Sequence, residues 1–332
     1  MSLFYFMTQQ AFNFDALTPD FMWYALESVG IRAESGFLPL NSYENRVYQF
    51  TDEERQRYVV KFYRPERWSQ AQIQEEHDFS YELVDGEVPV VAPIKRDNTS
   101  LFEYQGYRFA LFPSVGGRTF EADNYDHLEV LGRFIGRLHN VAKTKQFAVR
   151  PTISCQEFLH DAKRSLIDSN LISPSLETPF MTVLQQVITL TEEKYSPINE
   201  IRLHGDCHIG NILWTGNELT FVDLDDARQG PAVQDLWMML SGDESEQRMQ
   251  MDTLLCAYDE FSSLDLQELR LIEPLRALRM INYMGWLAKR WNDLAFQRNF
   301  SWFASDKYWE QQILSLKEQL AALHEAPLKL LP

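Results

Sequence analysis

The stretch "LHGDCHIGNILWTGNELTFVDLDDA", residues 203–227, decides the fold of this chain. Its first part is rich in polar side chains that can take part in catalysis or metal binding. The apolar runs "ILW" and "LTFV" follow, one before and one after "TGNE". Two short apolar runs separated by a turn that contains Gly and Asn predict a β-hairpin. We expect Asn211, just before the first strand, to lie opposite Asp223, just after the second. Asp206 is then expected at the same end of the hairpin.

These three side chains suit phosphoryl transfer. An amide oxygen and a carboxylate are ligands that a hard cation such as Mg²⁺ prefers, so Asn211 and Asp223 are candidate metal ligands. The carboxylate of Asp206 can accept a proton from a hydroxyl group. A phosphotransferase needs these parts. The alternative that Asp206 and Asn211 only cap turns stays open at this point.

Two other chemistries compete for the same loop. His204, Asp206 and His208 alternate onto one face of an extended chain, as the ligands of a metal hydrolase would. That interpretation needs further ligands, and the other histidines stand in no His-rich motif. Cys207 and His208 are neighbours that point to opposite faces of an extended chain, so they do not pair as nucleophile and base. We expect Cys207 to pack and His204 to brace the loop.

Composition excludes several classes of partner. The chain has 332 residues, 31 Lys and Arg, 48 Asp and Glu, and a formal net charge of −17. That charge repels nucleic acids and anionic membrane surfaces, so neither is expected as a partner. The three cysteines have no paired spacing, which favours a reducing compartment. The start "MSLFYFMTQQ" has no signal-peptide pattern. We expect a cytoplasmic monomer.

The hydrophobic pattern changes along the chain from strand-like to helix-like, which predicts an α+β fold. After a first helix, Pro19 to Val29, residues 37–113 read as strands and turns, and the pattern from about residue 120 is mostly helical. A β-like island interrupts the helices at 201–223. The predicted strands are "RVYQF", "YVVKFY", "EVPVVAPI", "SLFEY" and "YRFALF", and the predicted later helices cover 125–142, 156–168, 177–195, 247–262, 267–292 and 306–324.

A nucleotide kinase needs cationic and hydroxyl groups upstream for the phosphates. Lys61 lies in the otherwise apolar strand of "YVVKFYRPERW", just before a predicted helix that carries Glu75 and Glu76. We expect Lys61 to contact phosphate and one of these two glutamates to hold it. The alternatives are an edge lysine that aids solubility and a solvated helix face. In "PLNSYENRVY" the Ser42 hydroxyl and nearby N–H groups can cup a phosphate, although an ordinary hairpin turn explains this segment as well.

Together these motifs resemble the aminoglycoside phosphotransferase-like branch of the protein-kinase fold. "LHGDCHIGNILW" and "FVDLDDA" match its catalytic and metal motifs, while "NSYENRVYQF", "VVKFYRPERW", "FPSVGGR" and "GPAVQDLW" bring the chain closer to the bacterial stress response kinase A family. The resemblance implies a bilobal fold with a small β-rich N-lobe, residues 1–113, which binds nucleotide. The larger helical C-lobe, residues 114–332, then carries the catalytic loop, the metal site and the substrate helices.

The resemblance also implies roles. Asp206 is the proton acceptor, and Asn211 and Asp223 hold Mg²⁺, with Asp223 counted among the catalytic residues. Ser42 and Lys61 lie near ATP, and the resemblance favours Glu76 over Glu75 as the partner of Lys61. In addition, the resemblance makes Asp235 in "QDLW" a brace for the catalytic loop. The implied activity is ATP- and Mg²⁺-dependent phosphorylation of serine and threonine in proteins, with autophosphorylation, in a bacterial stress response.

Three departures from ordinary protein kinases keep other functions open. Gly205 stands where an arginine reads a phosphorylated activation loop, no Ala-Pro-Glu segment follows Asp223, and no glycine-rich loop precedes Lys61. A small-molecule kinase for an amino alcohol or an aminoglycoside is the main alternative. Its cationic substrate would want an aromatic cage, for which the candidates are Trp286, Trp291, Trp302 and Trp309. A nucleotide-binding scaffold without turnover is the third hypothesis.

Overall fold

The computed structural model describes residues 14, 16–216 and 218–330. The chain divides into two compact units, the first running up to Ser80 and resuming over Val91–Val115. The second comprises Tyr81–Val90 and the chain from Gly116 onward. The segment "MSLFYFMTQQ", for which no signal peptide is predicted, lies outside the described residues. In the described part of the chain, no helix combines the length and the apolar character needed to span a membrane.

The first unit is built on an antiparallel sheet. Among the described residues this sheet has five strands in the order β1-β2-β3-β5-β4. Apolar side chains of its strands, including Phe50, Val60 and Phe109, form a buried core with Leu26 of the first helix. The elements are α1 (Pro19–Glu27), β1 (Leu38–Pro39), β2 (Arg46–Thr51), β3 (Arg57–Phe62), α2 (Gln70–Asp85), β4 (Phe102–Tyr104) and β5 (Tyr107–Pro113).

The sheet register places Lys61 on β3, the central strand of this sheet. In β3 it pairs with Val47 of β2 on one side and Ala110 of β5 on the other. The β2–β3 hairpin and the helix that follows were predicted, and the structure confirms both. The predicted strand "EVPVVAPI" is wrong, because the described structure shows only an isolated bridge there, from Val90 to Phe221. Pro89 and Pro93 have no N–H to donate to a ladder, which explains the failure.

The second unit is mostly helical and contains the two short sheets of the predicted β-like island. β8 lies between β6 and β9 in one sheet, and β7 pairs with β10 in the other. Its strands are β6 (Arg118–Thr119), β7 (Ile201–Leu203), β8 (Ile212–Thr215), β9 (Glu218–Phe221) and β10 (Arg228–Gly230). Its helices are α3 (Tyr125–Ala142), α4 (Ala162–Ser169), α5 (Pro174–Lys194), α6 (Gln234–Trp237), α7 (Glu244–Tyr258), α8 (Ile272–Arg290), α9 (Leu294–Asn299) and α10 (Asp306–His324).

Helix α3 packs tightly against α7, and two glycines make this possible. A Cβ at Gly132 would lie 2.3 Å from the carbonyl oxygen of Leu254, and one at Gly136 would lie 2.6 Å from that of Tyr258. Asn124 caps the helix by accepting from the N–H of Asp126 at 3.0 Å. This close approach brings the last turn of α3 against the end of α7, behind the catalytic loop.

The predicted later helices lie where they were expected, but two of them begin with a segment that is not α-helical. The predicted helix at 156–168 starts as a π-helical segment, Gln156–Asp161, before α4. The predicted helix at 267–292 starts as a 3₁₀ segment, Leu266–Leu271, before α8. The short α9 was not predicted, since six residues without strong periodicity give little signal. A β-rich first unit and a helical second unit make the mixed α+β fold that was expected.

Candidate active site

The backbone of the catalytic loop, residues 204–211, begins as β7 ends and is held by Asp235. The buried Asp235 carboxylate accepts the N–H of His204 at 2.8 Å and the N–H of Gly205 at 2.9 Å. Gly205 has φ +84°, and a Cβ there would lie 2.2 Å from the carbonyl oxygen of Asp226. A residue with a side chain therefore cannot replace this glycine without moving the loop.

Behind Asp235 lies a buried hydrogen-bonded pair that the sequence did not reveal. His139 Nε2 lies 3.2 Å from Asp235 Oδ2, and His139 Nδ1 lies 3.0 Å from the hydroxyl oxygen of Tyr258. The hydroxyl of Tyr258 can donate to Nδ1, which leaves the Nε2 proton for Asp235. Burial, followed by the charges of nearby carboxylates, raises the pKa of Tyr258, so its hydroxyl keeps its proton. α3 and α7 thus support the loop through these side chains.

The carboxylate of Asp206 is held on both oxygens. Arg279 donates to Oδ1 through Nη1, and His208 Nε2 lies 3.3 Å from Oδ2. The N–H of Gly210 donates to His208 Nδ1 at 2.9 Å, so the proton of a neutral His208 sits on Nε2 and faces Asp206. Burial alone would raise the pKa of Asp206. The hydrogen bond from His208 and the positive charge of Arg279 outweigh burial and hold that pKa well below its usual range.

Arg279 is a functional candidate that sequence reasoning missed. It lies on α8, 73 residues beyond Asp206, and no local motif marks it. Its side chain is 41% exposed and that of Asp206 is 24% exposed, so the pair is reachable from solvent. Only the folding of α8 against the loop brings the two together, and a single sequence carries no signal of that contact.

Asn211 is fixed next to Asp206. Its side-chain nitrogen donates to the backbone carbonyl of Asp206 at 3.0 Å, with Asp206 Oδ2 at 3.5 Å. Because the nitrogen is used in this way, the amide oxygen lies at the opposite end of the group, where it can act as a ligand. Asn211 ends a short 3₁₀ turn, Ile209–Asn211, and β8 begins directly after it.

The hairpin forms as predicted, but its register differs by one residue. Ile212 pairs with Phe221, and the N–H of Val222 donates to the carbonyl of Asn211 at 3.0 Å. Asn211 therefore lies opposite Val222, and the prediction that it lies opposite Asp223 is wrong. The cause is the connection, which has two residues between Thr215 and Glu218, whereas pairing Asn211 with Asp223 would require three.

Asp223 adopts a conformation that is uncommon for a residue with a side chain. Its φ of 60° and ψ of 68° lie in the left-handed region, which costs roughly 1–2 kcal/mol outside glycine. Aspartate tolerates this region better than most residues. The alternation of side chains along β9 ends here, so strand pairing no longer dictates the direction of the Asp223 carboxylate. Strain of this kind clusters at functional sites.

The segment after Asp223 is short and anchored. The buried Arg150 donates to the carbonyl oxygens of Asp225 and Ala227. Arg228 contacts the carboxylate of Asp226 at 3.3 Å. These bonds fix the backbone between the 3₁₀ turn Leu224–Asp226 and β10.

The competing chemistries of the loop find no support in its geometry. His204 is fully buried, and its Nε2 donates to the carbonyl of Val222 at 3.0 Å, so it braces the loop. Burial, and then the charges of Asp235 and Asp206, raise the pKa of the Cys207 thiol well above its usual value. The part of the chain that the structure describes contains no group of three or more His, Cys, Asp or Glu side chains arranged to hold a metal.

In the first unit, Lys61 and Glu76 form the pair expected from the sequence. Lys61 Nζ lies 3.9 Å from Glu76 Oε1, and the two side chains are 6% and 3% exposed. The ammonium also lies 5.1 Å from the ring centroid of Tyr63. Glu75, the alternative partner, is only partly buried on α2. Because a buried charge is costly without a partner, the pairing fixes where the lysine points.

Residues 42–45, the turn that we expect to cover phosphate, are held in place by arginine side chains. The Ser42 hydroxyl donates to the carbonyl of Asn45 at 3.3 Å. Arg64 donates to the carbonyl of Glu44 at 2.8 Å and lies 3.1 Å from its carboxylate. Arg46 donates to the carbonyl of Tyr43 at 3.2 Å. These bonds shape residues 42–45 into a defined turn.

The tryptophans considered for a cage differ in how far they are exposed to solvent. Trp309 is fully buried and packs edge-on against Phe180 at 5.2 Å. Trp286 packs edge-on against Phe296 at 5.0 Å, while Trp302 is 41% exposed. A cage that includes Trp309 is therefore excluded by its place in the core.

Comparison with known proteins identifies the family of this site. The profile of the phosphotransferase enzyme family (APH) matches residues 36–272. The chain belongs to this family. It is 51% identical over 327 residues to stress response kinase A of Salmonella choleraesuis (strain SC-B67) and of Escherichia coli (strain K12). Both alignments cover 98% of the chain and 99% of the relative. A relative from Salmonella typhimurium, 50% identical over the same length, is named serine/threonine protein kinase RdoA.

Solved structures show the same fold. The amicoumacin kinase hAmiN, in complex with AMP-PNP, Ca²⁺ and Ami, superposes with a TM-score of 0.68 at 19% identity, covering 88% of this chain and 89% of that one. A microcompartment-associated aminopropanol kinase also gives 0.68, at 18% identity, covering 91% and 95%. The predicted kinase-like α+β fold, the resemblance to the stress response kinase A family and the assignment as a kinase are confirmed.

Proposed function

We propose that the protein is a serine/threonine protein kinase that uses ATP and Mg²⁺ and acts in a bacterial stress response. The observation that carries this proposal is the place of Asp206, whose side chain is oriented by His208 and Arg279 in a loop anchored by Asp235. The names of full-length relatives support protein as the acceptor and stress as the setting.

The chemistry assigned to the chain is a single transfer. The oxygen of an acceptor serine or threonine attacks the γ-phosphorus of ATP, a new O–P bond forms, and the bond to the β–γ bridging oxygen breaks. ADP departs and the hydroxyl proton passes to Asp206. Because phosphoryl transfer proceeds through a loose transition state, the main task of Asp206 is to orient the hydroxyl, and a carboxylate that is ionised when the acceptor binds suits that task.

The donor set fits Mg²⁺. The Asn211 amide is fixed through its nitrogen, so its oxygen is the available ligand atom, and the carboxylate of Asp223 is an oxygen donor of the kind Mg²⁺ prefers. One carboxylate and one amide, completed by nucleotide phosphates and water, make a site that this hard cation ordinarily uses. When bound, the metal neutralises charge on the phosphate oxygens.

We assign nucleotide binding to the N-terminal part, residues 1–113, and catalysis and acceptor binding to residues 114–332. Ser42, Lys61 and Glu76 are the nucleotide residues. The buried pair of Lys61 and Glu76 supports this assignment, because it keeps a cation at a fixed place. We further propose a cytoplasmic monomer that binds neither nucleic acid nor membranes, which agrees with the net charge of −17 and with three free thiols.

The experiment that tests the proposal uses purified protein with [γ-³²P]ATP and Mg²⁺. Casein, the protein itself, ethanolamine and 1-amino-2-propanol serve as alternative acceptors, and Asp206→Asn is run beside wild type. Label on casein and on the kinase, lost in the variant while ATP binding persists, supports a protein kinase. Rapid turnover of an amino alcohol without label on protein would instead assign the site to a small-molecule substrate.

A further inference from the structure

The carboxylate of Asp206 has a donor on each oxygen, and this raises the question of where an acceptor hydroxyl goes. Arg279 occupies Oδ1 and His208 occupies Oδ2. A hydroxyl that gives its proton to Asp206 needs hydrogen-bond contact with one of these oxygens. Because a carboxylate oxygen accepts more than one hydrogen bond, the hydroxyl can share an oxygen with one of these donors.

The two donors differ in how readily they can move. His208 belongs to the same short loop as Asp206, and the N–H of Gly210 holds its ring through Nδ1 at 2.9 Å. Displacing His208 would disturb the loop itself. Arg279 reaches Asp206 from α8 on a long flexible side chain that is 41% exposed. The hydroxyl therefore binds more readily at Oδ1, where the guanidinium of Arg279 can shift to share that oxygen.

The guanidinium of Arg279 contacts the catalytic carboxylate through Nη1, and its other N–H groups can bind a second anion. Six residues earlier on α8, Glu273 is already engaged, lying 3.3 Å from Arg276 and accepting from Gln319 at 3.0 Å. Arg276 itself packs over the ring of Trp237 at 4.9 Å and adds a second positive charge beside the first. α8 thus carries two neighbouring positive charges, those of Arg276 and Arg279, which favour an anion on a bound molecule.

We propose that Arg279 is a positioning and specificity residue, which holds Asp206 in the resting enzyme and binds a carboxylate of the acceptor during catalysis. Because Arg279 stays tethered to α8, its new partner lies close to the reacting hydroxyl. A polypeptide advances about 3.5 Å per residue, which places the carboxylate one or two residues from the phosphorylated serine or threonine. The proposal rests on the proposed function and adds that the acceptor segments are acidic.

The test compares two serine peptides that differ only in the flanking positions, with Asp in one and Asn in the other. Wild type is expected to favour the Asp peptide in kcat/KM by about tenfold or more, the factor that one charge-assisted hydrogen bond supplies. In Arg279→Gln the ratio should fall to about one, mainly through the KM of the Asp peptide. Arg279→Lys should restore part of the preference, and Arg276→Gln, the neighbouring arginine, should keep all of it.

The outcomes separate the sources of the anion. If Arg279→Gln raises the KM for ATP and slows both peptides equally, the partner is the γ-phosphate, and the acceptor proposal is overturned. Equal rates of wild type on both peptides, or a preference that survives Arg279→Gln, overturn it as well. If wild type labels neither peptides nor casein but turns over an amino alcohol, the proposed function itself has failed. That result is distinct from a protein kinase without acidic preference.

Discussion

The carboxylate of Asp235 accepts the backbone N–H of Gly205 at 2.9 Å, one residue before Asp206. The same carboxylate accepts from the N–H of His204 and from His139, so a residue of α6 fixes the start of the catalytic loop. The loop therefore owes its shape to a tertiary contact as well as to its own sequence. Residues that touch no substrate can then control the rate by holding the loop.

Asp235→Asn should lower both stability and rate. One oxygen of the carboxylate becomes an NH₂ group, which cannot accept from the N–H that faces it, and the buried acceptor loses its charge. We expect a loss of about 2–4 kcal/mol in the free energy of unfolding, measured by urea denaturation, together with a fall in kcat. Asp168→Asn, an exposed carboxylate on α4, is the matched control. Unchanged stability and kcat in Asp235→Asn would contradict the bracing role.

Lys61→Met and Glu76→Gln together separate stability from catalysis. Lys61→Met alone removes the cation from a carboxylate that is 3% exposed, so we expect a loss of about 3–5 kcal/mol in stability and of nearly all activity. The double variant no longer buries the charges of this pair and should recover most of the stability. It should not recover activity, because the cation that we propose to contact phosphate is still missing. Recovery of kcat in the double variant would show that Lys61 has only a structural role.

Local sequence signals were sufficient for the elements that carry the site. The apolar runs around "TGNE" predicted the β8–β9 hairpin, and apolar spacing predicted α3 over its full length, Tyr125–Ala142. The order of strand and helix predicted a glutamate of α2 as the partner of Lys61, and the family resemblance selected Glu76. Each of these features depends on residues close in sequence, where periodicity and turn chemistry act directly.

What was missed depends on contacts between distant elements or on the fine geometry of a turn. The ion pair of Arg279 with Asp206 joins α8 to the catalytic loop, and the hydrogen bond of His139 with Asp235 joins α3 to α6. In both cases the partners lie far apart in sequence. A single sequence does not show which helix face meets which loop. The hairpin register was wrong by one residue because Gly216, with φ +65°, allows a tighter connection than was assumed.

Asp223→Asn tests the metal assignment with little change in the backbone. Asparagine tolerates the left-handed conformation of residue 223 as aspartate does, so folding should be preserved while the anionic ligand is lost. We expect the Mg²⁺ concentration for half-maximal activity to rise at least about tenfold, as the loss of one charged ligand contact implies. Asp223→Ala should show the same shift and a further loss of stability of roughly 1 kcal/mol.

The control for this titration is Asp226→Asn, which removes a carboxylate three residues away that contacts Arg228 instead. Its Mg²⁺ requirement should match wild type. A Mg²⁺ titration of Asp223→Asn that coincides with wild type would refute the ligand assignment, whatever the effect on kcat.

The enzyme should be active without phosphorylation of a loop after Asp223. Phosphorylation switches order a loop by pairing the phosphate with arginine. Gly205 occupies the position from which such an arginine would act, and a Cβ there would lie 2.2 Å from the carbonyl oxygen of Asp226. The stretch from Asp223 to Gln234, where α6 begins, is already fixed by Arg150, which donates to two of its carbonyl oxygens. Little of this segment is left for a phosphate to order.

Phosphatase-treated and untreated enzyme should therefore give the same initial rate on a protein substrate, without a lag. Autophosphorylation can still occur on exposed serine or threonine elsewhere, as a consequence of activity and not as its cause. Mass spectrometry of the treated enzyme confirms that phosphate is absent at the start of the assay. A lag that disappears after preincubation with ATP would show that the enzyme must first modify itself. In that case the contacts of Arg150 with the segment would not suffice to hold it in the active arrangement.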